Sequence, residues 1–375
     1  MKNYFRLLVV FMIATVLAFT ACGDNGGTTP VTFDSADTPG DAVSVTIGSE
    51  TVEMIYANNQ ASITFPFSPD EGTPVDDEKG TITHKFFMGE TEVTWAVWKA
   101  VYDWAVHDDR GANKYTFQNP GRMGSMDGGA GMTDQHPVTM VSWRDAVIWC
   151  NALSEMTGAD PVYVANGTNG TTDGDVLRSS VTNAYGSSDK NVEDVVKSED
   201  DNLTRKGYRL PTSKEWEFAA RYVGTDAGGR TDYITSTNGG HADLTAGYYW
   251  TPAAYASGGT TYYNDNTGGS GEPGKSANDA VAVYKSYWDG SSWVDNGTSS
   301  TAEVMSLGAD SDNMLNLYDM SGNVYEWCFT ASGSDSVRRG GSWANLAFYL
   351  QVGYWIYYSP DYHFNFIGFR FARTQ

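Results

Sequence analysis

The sequence predicts a folded, loop-heavy domain of the mixed α+β class, and three observations predict it. Three segments carry helix start signals followed by apolar stripes at helical spacing. Short β-branched and aromatic runs broken by turn residues fill about 43–67 and read as a few strands. Long Gly/Thr/Asn/Ser/Asp segments, about 159–207 and 224–312, then separate the helices, and loops of that length are uncommon unless functional or braced by the fold. With 41 Gly, 23 Tyr and 12 Trp, the chain is too rich in rings to be disordered.

The N-terminus is a leader. Lys2 and Arg6 precede an unbroken apolar run from Leu7 to Phe19, too short to span a membrane. Phe19-Thr20-Ala21-Cys22 follows and resembles a bacterial lipoprotein signal, with Phe where Leu is usual. That resemblance implies a signal peptide over 1–22, lipidation of Cys22 and attachment to the membrane through the lipid alone. Residues 23–42 lack periodicity and read as a flexible tether, leaving 43–375 as the domain. The expected location is the outer membrane or cell surface, with the periplasm as the alternative.

The first helix starts at Thr94, a good N-cap, with Val97, Trp98, Val101, Tyr102 and Ala105 on one face. The second has Ser142 as N-cap, Asp145 three residues on, a stripe of Ala146, Trp149, Cys150 and Leu153, and Gly158 as its stop. In the third, Thr212 and Glu215 have capping-box spacing, so Glu215 closes a helix end rather than serving catalysis. Cys150 and Cys328 can pair in an oxidising compartment, but a buried free thiol at each is the favoured reading. The net charge of −22, the pI near 4.4 and the absence of any Lys/Arg run exclude a nucleic-acid partner. The charge is thinly spread along the loops and reads as solubility. A monomer is expected.

The last stretch differs from everything before it. Between Trp343 and Phe371, 12 of 29 residues are aromatic, against 14% overall, and Asp361 is the one charged side chain from Ala344 to Ile367. Ser359-Pro360-Asp361 forbids a continuous ladder. Amphipathic rings give wide contact at low entropic cost, as binding loops require, although rings of this kind also build cores. Arg338, Arg339, Arg370 and Arg373 flank the stretch and are expected to pair with the abundant carboxylates.

Five blocks in order, GETEVTWAVW, HPVTMVSWRDAVIWCNALSEMTG, YRLPTSKEWEFAAR, LNLYDMSGNVYEWC and RRGGSW…GFRFAR, resemble the formylglycine-generating enzyme (sulfatase-modifying factor) domain. The resemblance implies a C-type-lectin-like fold of low regular secondary structure, with two or three helices, small twisted antiparallel sheets and long loops. The enzymes of that family use two cysteines after the GGSW-like motif, and the corresponding positions are Asn345 and Leu350. Neither supplies the thiolate that soft Cu(I) needs, and the five histidines form no paired motif for an iron site. No catalytic residue or catalytic cofactor is therefore expected. The family's calcium motif falls on Asp319, Gly322, Val324 and Glu326, implying either a structural calcium or carboxylates that satisfy a turn.

The tail also resembles the variable region of proteins rewritten by diversity-generating retroelements, the treponemal variable lipoprotein type in particular. That resemblance implies a variable region over 343–371. Its fixed framework would be Gly340, Gly341, Ser342, Trp343, Gln351, Val352, Gly353, Pro360, Ile367, Gly368, Phe369 and Arg370. The presented, ligand-binding set would be Ala344, Asn345, Leu346, Phe348, Tyr349, Tyr354, Trp355, Ile356, Tyr357, Tyr358, Asp361, Tyr362, His363, Phe364 and Asn365. Adenine-directed changes to an Asn codon reach every residue type in that set except Trp355. The implied function is non-catalytic capture of a protein or glycan ligand. The alternatives are a formylglycine-type oxidase acting on a sulfatase cysteine and a structural envelope lipoprotein.

Overall fold

The computed structural model describes residues 31–186, 189–238, 241–259, 272–309 and 311–375. The leader and Cys22 lie outside the described residues. Two sheets and three capped helices organise the domain. The first sheet joins β1 (Ala42–Ile47), β2 (Glu50–Asn58), β3 (Phe86–Gly89), β4 (Tyr208–Arg209) and β9 (Ala372–Thr374) in the order β1-β2-β3-β9-β4, all antiparallel. The second joins β5 (Tyr325–Ser332), β6 (Asp335–Arg339), β7 (Trp355–Tyr358) and β8 (Ile367–Gly368) in the order β7-β6-β5-β8. Its one departure from the antiparallel expectation is the β5/β8 pair, where Tyr325 and Ile367 run parallel.

The three helix starts form as their sequences dictate. Thr94 accepts the Val97 amide at the head of α1 (Trp95–Ala105), and capping boxes close Ser142/Asp145 before α2 (Trp143–Met156) and Thr212/Glu215 before α3 (Ser213–Arg221). Val97, Trp98, Val101 and Ala105 are the buried stripe of α1. Helix α2 is buried on nearly every side, because it lies against α1, β4 and β5 at once. Strand alternation sends side chains to two cores: Tyr56 and Phe87 join the cluster under α1 and α2, while Phe86 and Met88 join the cluster around α3.

Two expectations need correction. Both segments read as loop contain elements: 159–207 holds the short helices Val192–Val195 and Glu199–Leu203, and 224–312 holds the helix Glu272–Asp279 and the hairpin of Ser286–Trp288 with Trp293–Asp295, all too short or too sparse in apolar residues to show a period. Packing also begins before residue 43. Phe33 and Ala36, inside the expected tether, are buried, and the Phe33 ring meets Phe87 at 4.8 Å edge-on.

Buried ion pairs bind the layers. Glu217 on α3 accepts from both Arg221 (3.0 Å) and Arg339 (2.9 Å), tying the helix to β6. Arg370 grips Glu326 through two hydrogen bonds of 2.7 and 2.8 Å and also donates to the carbonyls of Gly89 and Tyr318. Glu92 stands nearby, accepting the Val324 amide and the Asn323 side chain. Three buried carboxylates, Glu92, Asp319 and Glu326, thus surround one guanidinium. Burial, then its acidic neighbours Asp319 and Glu326, hold Glu92 well above the usual carboxylate range, and burial pushes Asp319 up to about 6.

Removing one member of a buried pair leaves the other charge stranded, at a cost of about 3–5 kcal/mol. Arg370→Met is expected to lose that much in urea unfolding. Asp319 acts in the opposite sense. Its carboxyl binds a proton more tightly folded than unfolded, so its contribution to stability falls as pH rises from about 4 to 6. Asp319→Asn keeps an acceptor for the Met305 amide. It should gain on the order of 3 kcal/mol near pH 7 and flatten the pH dependence of the unfolding midpoint between about 4 and 6.

Candidate functional site

The aromatic stretch leaves β6 through Gly340 and Gly341, both at positive φ. A Cβ on Gly341 would stand 2.7 Å from the Tyr349 carbonyl oxygen, so only glycine fits the turn. Trp343 then donates its indole N–H to the Asn365 carbonyl at 3.1 Å, fastening the two ends of the presented segment together. Gln351 donates to the Phe348 carbonyl, the Val352 carbonyl accepts from Arg339, and Trp355 donates to the Ser68 carbonyl. A Cβ on Gly368 would meet the Val138 carbonyl oxygen at 2.6 Å. Eleven of the twelve expected framework positions are buried, Trp343 being half-buried, so the scaffold closes under the stretch.

The presented positions behave differently. Tyr358 and Phe364 are 37% and 46% exposed, Asp361 is exposed, and all but one of the rest are half-buried. Tyr354 is the exception, and the correction has a local cause: its ring lies edge-on to Phe348 and Tyr349 at 5.4 and 5.1 Å, and Gly72 closes over it. The run Trp355–Tyr358 forms the edge strand β7, in register with β6 from Arg339 to Ser336. It ends before Ser359-Pro360, as the sequence requires. Beyond it Tyr358, Tyr362, Phe364 and Phe366 follow one another at ring separations of 4.5, 6.0 and 4.7 Å. Asn345 is tied down, its side chain accepting from Ser342 and its carbonyl from the Lys285 amide. Asn365 donates to the Ser125 carbonyl.

One residue central to this face was missed. Arg338 lies 4.2 Å from the Tyr358 ring and 4.3 Å from that of Tyr325, with Tyr362 and Phe366 each at 5.7 Å. The expectation that all four flanking arginines pair with carboxylates fails here, and for Arg373, which lies over the Phe33 and Tyr208 rings. Successive residues of a strand face opposite ways. Two adjacent arginines on a strand were therefore the available signal: Arg339 turns to Glu217, and Arg338 to the rings.

The chemistry of the face follows from its residues. Leu350 is buried and Asn345 is a hydrogen-bonded amide, so neither offers a thiol to the face. Cys150 and Cys328 are free and buried, and burial raises both thiols above their ordinary range. For calcium, the expected donor Glu326 has both oxygens engaged by Arg370, and one also by the Trp216 indole. Among the described residues no group of three or more His, Cys, Asp or Glu side chains is placed to hold a metal. Glu326 thus spends both oxygens within the fold, and Glu92, not anticipated, is what gathers the Asn323–Val324 turn.

Comparison with known proteins agrees with this architecture. Treponema denticola variable protein 1 is 24% identical, its structure covering 89% of this chain and 99% of its own at a TM-score of 0.54. The chaperone protein LppX of Paenibacillus barcinonensis is 24% identical over 357 residues, 93% of this chain and 92% of the relative. The model of the sulfatase-modifying factor enzyme 1-like domain matches residues 32–375, the whole packed region from Phe33 to the C-terminus. By that match the chain belongs to the family of sulfatase-modifying factor enzyme 1-like domains.

Proposed function

We propose that this protein is an exported, lipid-anchored binding protein without catalytic activity, which presents residues 344–365 as a diversified recognition face. One observation carries the reading. Fourteen of the fifteen presented positions keep accessible surface while eleven of the twelve framework positions are buried. A segment built only as core would bury both sets alike. A segment built for display fixes its backbone and leaves its side chains at the surface. Trp343 and Asn365, joined end to end, provide the fixing.

The family membership and the likeness to a treponemal variable protein support the scaffold; the ligand role rests on the face itself. The rings are the residue types enriched at protein interfaces, and their half-buried setting limits the rotamer freedom lost on binding. The leader and Cys22 support an outer-membrane or cell-surface location. Among the described residues no helix is long and apolar enough to cross a membrane. The oxidase reading lacks thiols at Asn345 and Leu350.

Three measurements test the proposal. Sequencing the gene across a population should find substitutions concentrated at the presented positions and absent from Gly340, Gly341, Ser342, Gly368 and Arg370; equal variation in both sets sinks the diversified face. Tyr358→Ala combined with Phe364→Ala should unfold within about 1 kcal/mol of the natural chain, as surface changes do. A loss several times larger would mean that those rings are core. With copper and a cysteine-bearing sulfatase peptide, oxygen uptake should not exceed the protein-free control, and uptake above it would restore the oxidase.

A further inference from the structure

Arg338 differs from the other deeply buried arginines. Arg209, Arg221, Arg339 and Arg370 each face a carboxylate: Glu215, Glu217, Glu217 again and Glu326. Arg338 is 4% exposed, makes no ion pair among the described residues, and leaves Nε and Nη1 without a hydrogen-bond partner. Its surroundings are the rings of Tyr325, Tyr358, Tyr362 and Phe366. Ring faces attract the cation but leave the in-plane N–H groups unused, and an unused buried donor is costly to keep.

The position adds direction. In the sheet Arg338 pairs with Trp327 on one side and Ile356 on the other, so its side chain shares their face, toward the presented stretch. The ring directly over it belongs to Tyr358, one of the most exposed large side chains of the face. Tyr358 stands on the edge strand of its sheet and ends that strand, so it is the ring best placed to move aside.

We propose that Arg338 is an anion-reading element of the recognition face, taking a carboxylate that a protein ligand inserts beside the Tyr358 ring. This rests on the reading of the stretch as a binding face. A guanidinium offers its N–H groups as a planar fork matched to a carboxylate, while its flat surfaces remain free to stack on rings. The fit is to an acidic side chain next to an apolar or aromatic one. Ile356 beside Arg338 in the sheet and the rings of Tyr358, Tyr362 and Phe366 supply the apolar contact around it. The net charge of −22 repels such a ligand from afar, but at physiological ionic strength that field is screened within about 8 Å. Recognition of the acid is therefore a contact event.

The minimal probes are phenylacetate and its neutral isostere phenylacetamide, titrated into the full domain while the Nε–H signal of Arg338 and the ring signals of Tyr358 are followed by NMR, the ring signals serving also in the variants that lack the arginine. The expected result is a saturable shift with phenylacetate, at least tenfold weaker with the amide. Arg338→Lys, which keeps the charge without the fork, should lose most of that preference. Arg338→Met should abolish it, and either variant is used only if its melting curve shows it folded. Equal binding of acid and amide would overturn the anion site while leaving a ring-binding face intact. No shift with either probe would also overturn it, and the recognition-face reading would still be decided separately by the population sequences.

Discussion

The two-toothed grip of Arg370 on Glu326 is the interaction on which the rest of the structure leans. Glu326 belongs to the sheet that carries the aromatic face. Arg370 sits in the short run between Gly368 of that sheet and Ala372 of the other. The same guanidinium binds the carbonyls of Gly89 and Tyr318, so one side chain collects four parts of the chain. Such a pair is expensive to bury, and nothing in its energetics makes it better than a packed apolar substitute. Its value is geometric. A bidentate fork admits one orientation, and this one pins the run before the first sheet's last strand to the second sheet.

Glu217 does the same work at the other margin of the face, holding Arg221 on its own helix and Arg339 on β6. Within residues 344–365, Ala347, Leu350 and Val352 belong to the cores, and the ion pairs of Glu217 lie beneath them. Phe348, Trp355, Ile356 and Tyr362 rest their inner sides on those cores and keep part of their surface in water. Phe348, Tyr349 and Tyr354 meet edge to face, and Tyr358, Tyr362 and Phe364 stack before Phe366 tilts against the last of them, so the side chains brace one another laterally.

What could be read from the sequence was what depends on near neighbours. The caps at Thr94, Ser142 and Thr212 use acceptors and amides three residues apart, and each forms. The turn glycines and the strand stop at Ser359-Pro360 are local for the same reason. What could not be read depends on partners far along the chain. Glu92 meets Asn323 and Val324 across more than 230 residues. Tyr354 is covered from the loop that holds Gly72, and Phe33 fills a place between Phe87 and Tyr208. Arg338 lay between these limits. Strand alternation separates it from Arg339, but which rings would receive it required the fold.

The outer margin of β7 has a further consequence. An aromatic strand at the end of a sheet invites another chain to extend the ladder. Here the Trp355 carbonyl is already taken by the Gly72 amide, and three residues beyond Tyr357 the chain reaches Pro360, which has no amide hydrogen to offer. The free margin of this strand is a residue or two long. The tyrosines of this face therefore have little strand margin through which to pair with a second copy of themselves.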